Sequence, residues 1–298
     1  MTYIFTEAFN CGELLPFFLK SYFKYHKEPI NIVLSNNDIE MTKDSLEHPL
    51  VNVVNVSNMP LFSEMWDSGH AGTALSFAYV ITNLGKNQNV IHFDSDVIFT
   101  DNCIDEIIQC FEQGYSLVGP TRPYKNNLNN RTDLNDLPDL ISTYCFGVDT
   151  RKIPNYDLNS FVQMCRGFYD PTGKPVLDFF DPVSRSVIEN NGRVKYLNHD
   201  DYGGLNEHGS KDNGFKSNQY IDFGNKLMHF AGVGSGCAIE KGRATKCHQG
   251  YAKWSLNRWK LYSKIFIDLA IELDTERTKM YDTIIKESND DIFANGTG

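Results

Sequence analysis

Short apolar runs alternate with apolar stripes at helical spacing along the first half of this chain. A short apolar run bounded by turn residues is typical of a buried strand, and apolar positions three and four apart are typical of a packed helix. The predicted strands lie at 3–6, 31–34, 51–56, 90–93, 115–118 and 144–148, and the predicted helices at 12–26, 71–84 and 103–113. This alternation favours an α/β fold around a mixed, mostly parallel, Rossmann-like sheet flanked by helices.

The second half of the chain has a weaker pattern. Residues 122–140 are polar and turn-rich, which predicts a loop or lid. Residues 155–214 are irregular apart from a helix near 183–190, and a strand at 226–231 enters a glycine-rich segment. One or two helices are predicted over 253–286.

These elements predict one body over residues 1–250, with a helical extension over 251–298. Within the body we expect an amino-terminal half over 1–120 and a carboxyl-terminal half over 121–250. Aromatic and basic residues in the extension would suit peripheral contact with a membrane, but their helical spacing favours packing on the body.

Charge and composition narrow the classes of partner. The chain has 298 residues and a net charge of −10, which argues against general affinity for nucleic acid. The 7 cysteines show no zinc-type spacing and indicate buried, reduced thiols. The amino-terminal residues do not resemble a signal peptide and no run is long enough to span a membrane, so we expect a soluble, cytoplasmic protein.

The most informative motif is Asp94-Ser95-Asp96, directly after the apolar strand at 90–93. Two carboxylates so close at the end of a buried strand repel each other, and a hard cation such as Mn²⁺ or Mg²⁺ resolves the conflict. The alternative is a polar strand end at which Asp96 or Asp101 caps the next helix. The preceding strands and helices favour the metal site.

Further polar groups fall at positions that suit a bound nucleotide. Ligands of such sheets bind beyond the carboxyl ends of the strands, where Thr6, Asp38 and Asp94 are predicted to lie. Downstream, His229 ends a strand and would be a suitable third ligand for Mn²⁺. The glycines after it, Gly232 and Gly234, would let backbone N–H groups approach a diphosphate; the alternatives are a core histidine and plain turns.

The order of these features resembles the GT-A glycosyltransferases, distantly the glycogenin-like ones. The resemblance covers about residues 3–236 in element order, and its specific part is HFDSDVIF and HFAGVG. It implies a metal-dependent transfer of sugar from a nucleotide-diphosphate donor, with UDP favoured, to a hydroxyl acceptor such as a glycan. It also implies that the half at 1–120 binds the nucleotide and the half at 121–250 binds the acceptor. It assigns Asp96 and His229 as metal ligands, and Asp94 to the metal or the donor ribose. The Lys-Pro-Trp that follows the histidine loop in glycogenin-like enzymes is absent here.

The resemblance also suggests residues for catalysis and donor binding. Inverting members place an acidic general base at a helix start, which Asp181 matches best and Asp178 second. For Asp181, capping of the helix that begins at Pro182 is the alternative. The segment 66–73, which includes His70, corresponds to a helix start that lines the donor site; a plain helix cap there is the alternative.

Other enzyme classes share part of this pattern. A haloacid-dehalogenase-like phosphatase would use Asp94 as a nucleophile, but its motif follows the first strand of the fold, and it leaves the glycine-rich segment after His229 unexplained. A nucleotidyltransferase would open with a glycine-rich loop, which the sequence lacks. An inactive sugar-nucleotide-binding module would have no need to retain both aspartates and the histidine.

Overall fold

The computed structural model describes part of the chain, and the bounds below refer to that part. The described residues are 2–8, 14–34, 48–56, 59, 69–122, 140–155, 157–166, 179–197, 199–201, 221–223 and 226–229. Within these ranges, no helix combines the length and apolar character that crossing a bilayer requires.

Twelve strands and five α-helices are described. The strands are β1 (Thr2–Ala8), β2 (Ile30–Leu34), β3 (Val51–Asn55), β4 (Asn89–Phe93), β5 (Val97–Phe99), β6 (Leu117–Arg122), β7 (Leu140–Ile141), β8 (Cys145–Asp149), β9 (Val194–Leu197), β10 (His199–Asp201), β11 (Ile221–Phe223) and β12 (Leu227–His229). The helices are α1 (Leu15–Tyr25), α2 (Gly69–Tyr79, continued by a π-helical turn over Val80–Leu84), α3 (Ile104–Glu112), α4 (Leu158–Arg166) and α5 (Asp181–Glu189).

The main sheet has eight strands in the order β3-β2-β1-β4-β8-β6-β7, and β9 also pairs with β6. The strands from β3 to β4 are parallel, and so are β6 and β9. Strand β8 runs antiparallel to both β4 and β6. The sheet confirms the predicted mixed, mostly parallel, Rossmann-like α/β class and is consistent with the GT-A architecture.

Helices cover both faces of this sheet, because alternate residues of its central strands point to opposite sides. On one face, α2, α4 and α5 pack around Phe5, Phe77 and Phe146. On the other, α1 and α3 pack around Phe18 and Phe93. The two apolar layers hold the central strands β1 and β4 in place, and these strands carry the polar groups described below.

A second sheet, in the order β10-β11-β12-β5, was not predicted from the sequence. Strand β5 leaves the main sheet after Asp94-Ser95-Asp96 and pairs antiparallel with β12, with Val97 opposite His229. The turn after β5 holds β12 as well, since the backbone N–H groups of Thr100 and Asp101 donate to the Lys226 carbonyl at 2.8 and 3.1 Å. This pairing brings a distant part of the chain to the aspartates.

Several predicted boundaries were wrong. Strand β1 continues to Ala8, so Thr6 lies inside it rather than at its end. The region predicted to be mostly irregular, 155–214, contains helix α4 and strand β10. Helix α5 begins at Asp181, and Phe180 holds the cap position without a side-chain hydrogen bond. The capping role considered for Asp181 was therefore wrong.

Two predicted segments lie outside the described residues: the loop at 123–139 and the helical extension at 251–298. The division of the body into two halves stays a prediction.

Candidate metal centre

The two aspartates lie at the carboxyl end of β4, as predicted. Asp94 follows Phe93, the last residue of that strand, and its backbone N–H donates to the Tyr144 carbonyl at 3.0 Å. Asp96 precedes β5 and is largely buried. The motif thus occupies the crossing from the main sheet into the second sheet, where both carboxylates can face one point.

His229 joins the aspartates from strand β12. Its Nε2 lies 3.3 Å from Asp96 Oδ1 and 3.5 Å from Asp94 Oδ2. One ligand atom from each of the three side chains falls within a group whose members are all within 4.8 Å of one another. The sequence-predicted metal ligands are therefore brought together, although their sequence positions are far apart.

These three side chains fit a divalent cation. Neighbouring ligand atoms around an octahedral ion with bonds of about 2.1 Å are about 3 Å apart, close to the separations seen here. Asp96 Oδ1 is buried, and among the described residues it accepts no hydrogen bond. Two carboxylates and an imidazole suit Mn²⁺, and Mg²⁺ accepts the same oxygen ligands.

The electrostatics of Asp94 agree with this interpretation. Burial is the largest of the causes that raise the pKa of Asp94 to about 7. The nearby His92 opposes that rise, whereas the carboxylates of Glu7 and Asp96 add to it. A carboxyl group under such repulsion is stabilised in its charged form when a cation binds beside it.

A pair of charged residues behind Asp94 was missed by the sequence analysis. Glu7 of β1 and His92 of β4 lie on neighbouring parallel strands and point to the same face of the sheet. The His92 Nδ1 donates to the Thr143 carbonyl at 2.9 Å, and the Nε2 donates to Glu7 Oε2 at 2.5 Å. The same Nε2 lies 3.7 Å from Asp94 Oδ1.

The Glu7 carboxylate favours the protonated form of His92. Burial by itself lowers the pKa of His92, but the Glu7 carboxylate and its hydrogen bond outweigh burial, and the pKa is raised above its ordinary value. An acidic residue in the otherwise apolar strand YIFTEA was the signal that could have revealed the pair.

Glu7, His92 and Asp94 also form a group with metal-ligating side chains. The ring nitrogen and the Glu7 oxygen are in direct hydrogen-bond contact, closer than the roughly 3 Å between neighbouring ligands of one ion. His92 is fully buried as well. We therefore interpret Glu7 and His92 as an ion pair that supports Asp94.

Asp181 lies close to this region but is fully buried at the first turn of α5. Two residues before it, the Phe179 ring centroid is 6.3 Å from that of His92. The residues that lead into α5 therefore pack beside the His92 ring. Asp178, the second candidate for a general base, lies outside the described residues.

The other donor-site candidates are distributed as follows. Ser95 is largely buried between the two aspartates. Thr6 is fully buried in β1, and its hydroxyl forms no hydrogen bond within the described part of the chain. His70 is the second residue of α2, but its side chain is outside the described set. The positions not described are Asp38, Gly232 and Gly234.

Among the comparisons with known proteins, only the search of solved structures found matches to this chain. No protein-family model matches the chain, and no curated protein matches it. Mouse xyloside xylosyltransferase 1 is similar with a TM-score of 0.44 and 13% identity, over 66% of this chain and 86% of that one.

Two further solved structures are similar to the same extent. The galactosyltransferase LgtC, in complex with donor and acceptor sugar analogs, has a TM-score of 0.47 and 11% identity over 66% of this chain and 73% of its own. The 4-diphosphocytidyl-2C-methyl-D-erythritol synthase from Anaerococcus prevotii has a TM-score of 0.42 and 13% identity, over 66% of this chain and 85% of its own. All three scores are below 0.5, so the activity is argued from the site.

Proposed function

We propose that this chain is a metal-dependent glycosyltransferase that moves a sugar from a nucleotide-diphosphate donor to a hydroxyl acceptor. The observation that carries the proposal is the cluster of Asp94, Asp96 and His229 at the carboxyl end of β4. That edge of a parallel sheet is where nucleotides bind in α/β folds. We favour UDP as the nucleotide and a glycan as the acceptor, from the resemblance described above.

The three ligands hold Mn²⁺ or Mg²⁺ in this proposal. The ion supplies positive charge that neutralises a departing diphosphate. The chain itself supplies a fixed frame, because Asp94 and Asp96 lie directly before β5 and His229 is paired to that strand. The net charge of −10 makes such an ion necessary for an anionic donor to bind.

The remaining donor contacts are proposals of the same kind. Ser95 lies between the ligands and is the nearest hydroxyl in sequence to the metal. Asp38, His70, Gly232 and Gly234 keep their proposed places around the nucleotide and diphosphate. Thr6, being buried, would contribute the backbone of β1 rather than an exposed hydroxyl.

An inverting reaction would require a base for the acceptor hydroxyl. Full burial separates the Asp181 carboxylate from solvent, which favours Asp178 for that role. With retention of configuration, neither residue is needed as a base. Comparing Asp178→Asn with Asp181→Asn for sugar transfer, once a donor is found, separates these cases.

A phosphatase that uses Asp94 as its nucleophile is not favoured by this geometry. Both oxygens of the Asp94 carboxylate already face an imidazole, Oδ1 at 3.7 Å from His92 Nε2 and Oδ2 at 3.5 Å from His229 Nε2, which favours a ligand over a nucleophile. The position of His229 between both aspartates also has no role in that chemistry.

The first test is calorimetric titration of UDP with and without Mn²⁺. We expect binding that requires Mn²⁺ and that is at least about 10-fold weaker in Asp96→Ala, since a metal ligand is lost. The matched control is Glu112→Ala, which removes an exposed carboxylate at the end of α3 and is expected to bind as the wild type does. UDP-sugar hydrolysis is then screened on the same proteins.

The outcome that contradicts the proposal is equally clear. If UDP, GDP and dTDP all fail to bind with Mn²⁺ present, the donor site is not there. A phosphatase assay on the wild type and Asp94→Asn would then test the rival chemistry.

A further inference from the structure

The aromatic ring of Tyr144 lies flat against the imidazole of His229. The two ring centroids are 4.5 Å apart and the planes differ by 9°. Tyr144 is almost fully buried, at 2% exposure, in the short turn that joins β7 to β8. A buried flat surface of this kind leaves the imidazole little freedom to rotate.

The same turn contacts the aspartate side of the site. The Tyr144 carbonyl accepts from the backbone N–H of Asp94 at 3.0 Å, and the Thr143 carbonyl accepts from His92 Nδ1 at 2.9 Å. One short segment therefore holds groups that come from β4 and from β12. These two strands belong to different sheets, so the segment bridges the sheets at the site.

The turn is itself fixed at both ends. The Ser142 N–H donates to the Pro120 carbonyl of β6 at 2.8 Å. Strand β8 begins at Cys145, directly after Tyr144, and pairs with β4 through Cys145 and Phe93. Tyr144 is thus held on the main sheet, which provides a rigid support for a ligand carried by the second sheet.

We propose that Tyr144 is a positioning residue that sets the ring orientation of His229 for metal binding; this rests on the metal site in the proposed function. The hydrogen bond to Asp94 fixes the main chain of one ligand, and the stacked ring fixes the side chain of another. Residues that orient a ligand without touching the ion commonly change metal affinity by about 10- to 100-fold. The flat face of the Tyr144 ring is the feature that orients the His229 imidazole.

The test measures the binding of Mn²⁺ alone, and electron paramagnetic resonance quantifies the Mn²⁺ that remains free. Tyr144→Leu keeps apolar volume but loses the flat ring, and we expect its Kd for Mn²⁺ to rise at least about 10-fold. Tyr144→Phe keeps the ring and loses only the hydroxyl, so its Kd should stay within about 3-fold of the wild type. Rescue by phenylalanine would show that the ring, and not the hydroxyl, positions His229.

A second buried pair provides the matched control. Tyr22 packs beside His26 with centroids 4.8 Å apart and is fully buried in α1; within the described part of the chain its ring contacts do not include any of the three metal ligands. Tyr22→Leu removes a comparable amount of aromatic packing, so it should cost stability without changing the Kd for Mn²⁺. Thermal unfolding in EDTA is recorded for every variant, and Tyr144→Met replaces Tyr144→Leu if the latter does not fold.

The possible results separate the two proposals. If Tyr144→Leu binds Mn²⁺ as the wild type does while Asp96→Ala does not, the role of Tyr144 is overturned and the metal site stands. If the wild type binds no Mn²⁺, or Asp96→Ala binds it equally well, the metal site falls and this inference falls with it. Weakened binding in Tyr22→Leu as well would overturn the specific role of the stack.

Discussion

Two buried histidines in this protein have similar aromatic surroundings, but their pKa values are shifted in opposite directions. His26 lies 4.8 Å from the ring centroids of Tyr22 and Phe99, and His92 lies 4.8 Å from those of Phe5 and Phe146. Both are almost fully buried. Burial lowers the pKa of His26 below its ordinary value, whereas the pKa of His92 is raised.

The difference comes from one carboxylate. At His26, Nδ1 donates to the Tyr22 carbonyl at 3.0 Å and Nε2 accepts from the Cys103 N–H at 3.3 Å, which satisfies a neutral ring. At His92, Glu7 accepts from Nε2. Aromatic packing alone therefore does not decide the charge of a buried imidazole, and a hydrogen-bonded carboxylate can overcome the cost of burial.

The strongest test of this comparison is His92→Leu. The substitution leaves Glu7 and Asp94 buried close together without a counter-charge, so we expect a loss of about 3–5 kcal/mol in the free energy of unfolding. Urea unfolding in EDTA measures it, with Glu7→Leu/His92→Leu as the partner variant. Recovery of part of the loss in the double variant supports the ion pair, and an equal or greater loss there contradicts it.

Glu7→Gln is expected to have the next largest effect. The amide can still make a hydrogen bond to His92 but carries no charge, so the imidazole becomes neutral and the charged hydrogen bond is lost. The expected cost is about 1.5–3 kcal/mol in the same unfolding experiment. No measurable change would mean that the ring is neutral in the wild type as well.

Removing the neutral ring should cost less. His26→Leu leaves the Cys103 N–H without its acceptor, at an expected cost of about 1–2 kcal/mol. Among the described residues, no carboxylate is hydrogen-bonded to the His26 ring, so the substitution leaves no such partner uncompensated. If His26→Leu lowered the free energy of unfolding as much as His92→Leu does, the opposite pKa shifts of the two histidines would not explain their contributions to stability.

The smallest effect concerns pH. Because the pKa of His26 is lowered in the folded chain, the unfolded chain takes up the proton first as the pH falls below about 6.5. The stability from neutral His26 is thus complete above that pH and is lost toward the folded-state pKa, by no more than about 1.4 kcal/mol per pH unit. His26→Gln should lack this dependence, so its stability difference from the wild type should shrink between pH 8 and pH 5.5. A constant difference would contradict the neutral assignment.

The sequence predicted those parts of the site that depend on local pattern. An apolar strand that ends in Asp94-Ser95-Asp96 carries its own signal, and so does the alternation of strands and helices around it. The paired positions Glu7 and His92 carry a weaker signal, because their meaning depends on which strands are neighbours. Strand order is a property of the whole sheet, and the sequence of one strand does not show which strands will be its neighbours.

The second sheet was missed for a related reason. Strands β5, β10, β11 and β12 span only three residues each, too few for a periodic pattern to emerge. Their stability comes from pairing with one another, which local propensity does not record. His229 was nonetheless predicted as a ligand, from its chemistry and the glycines that follow it.

The pairing of β5 with β12 has a consequence for the order in which the protein is made. Glu7 and His92 lie on adjacent strands that leave the ribosome early, whereas His229 reaches Val97 only after more than a hundred further residues have been synthesised. Contacts between such distant residues close large loops and form late in folding. The Glu7–His92 pair can therefore form while the main sheet is being built, and the third metal ligand is added only when β12 pairs with β5.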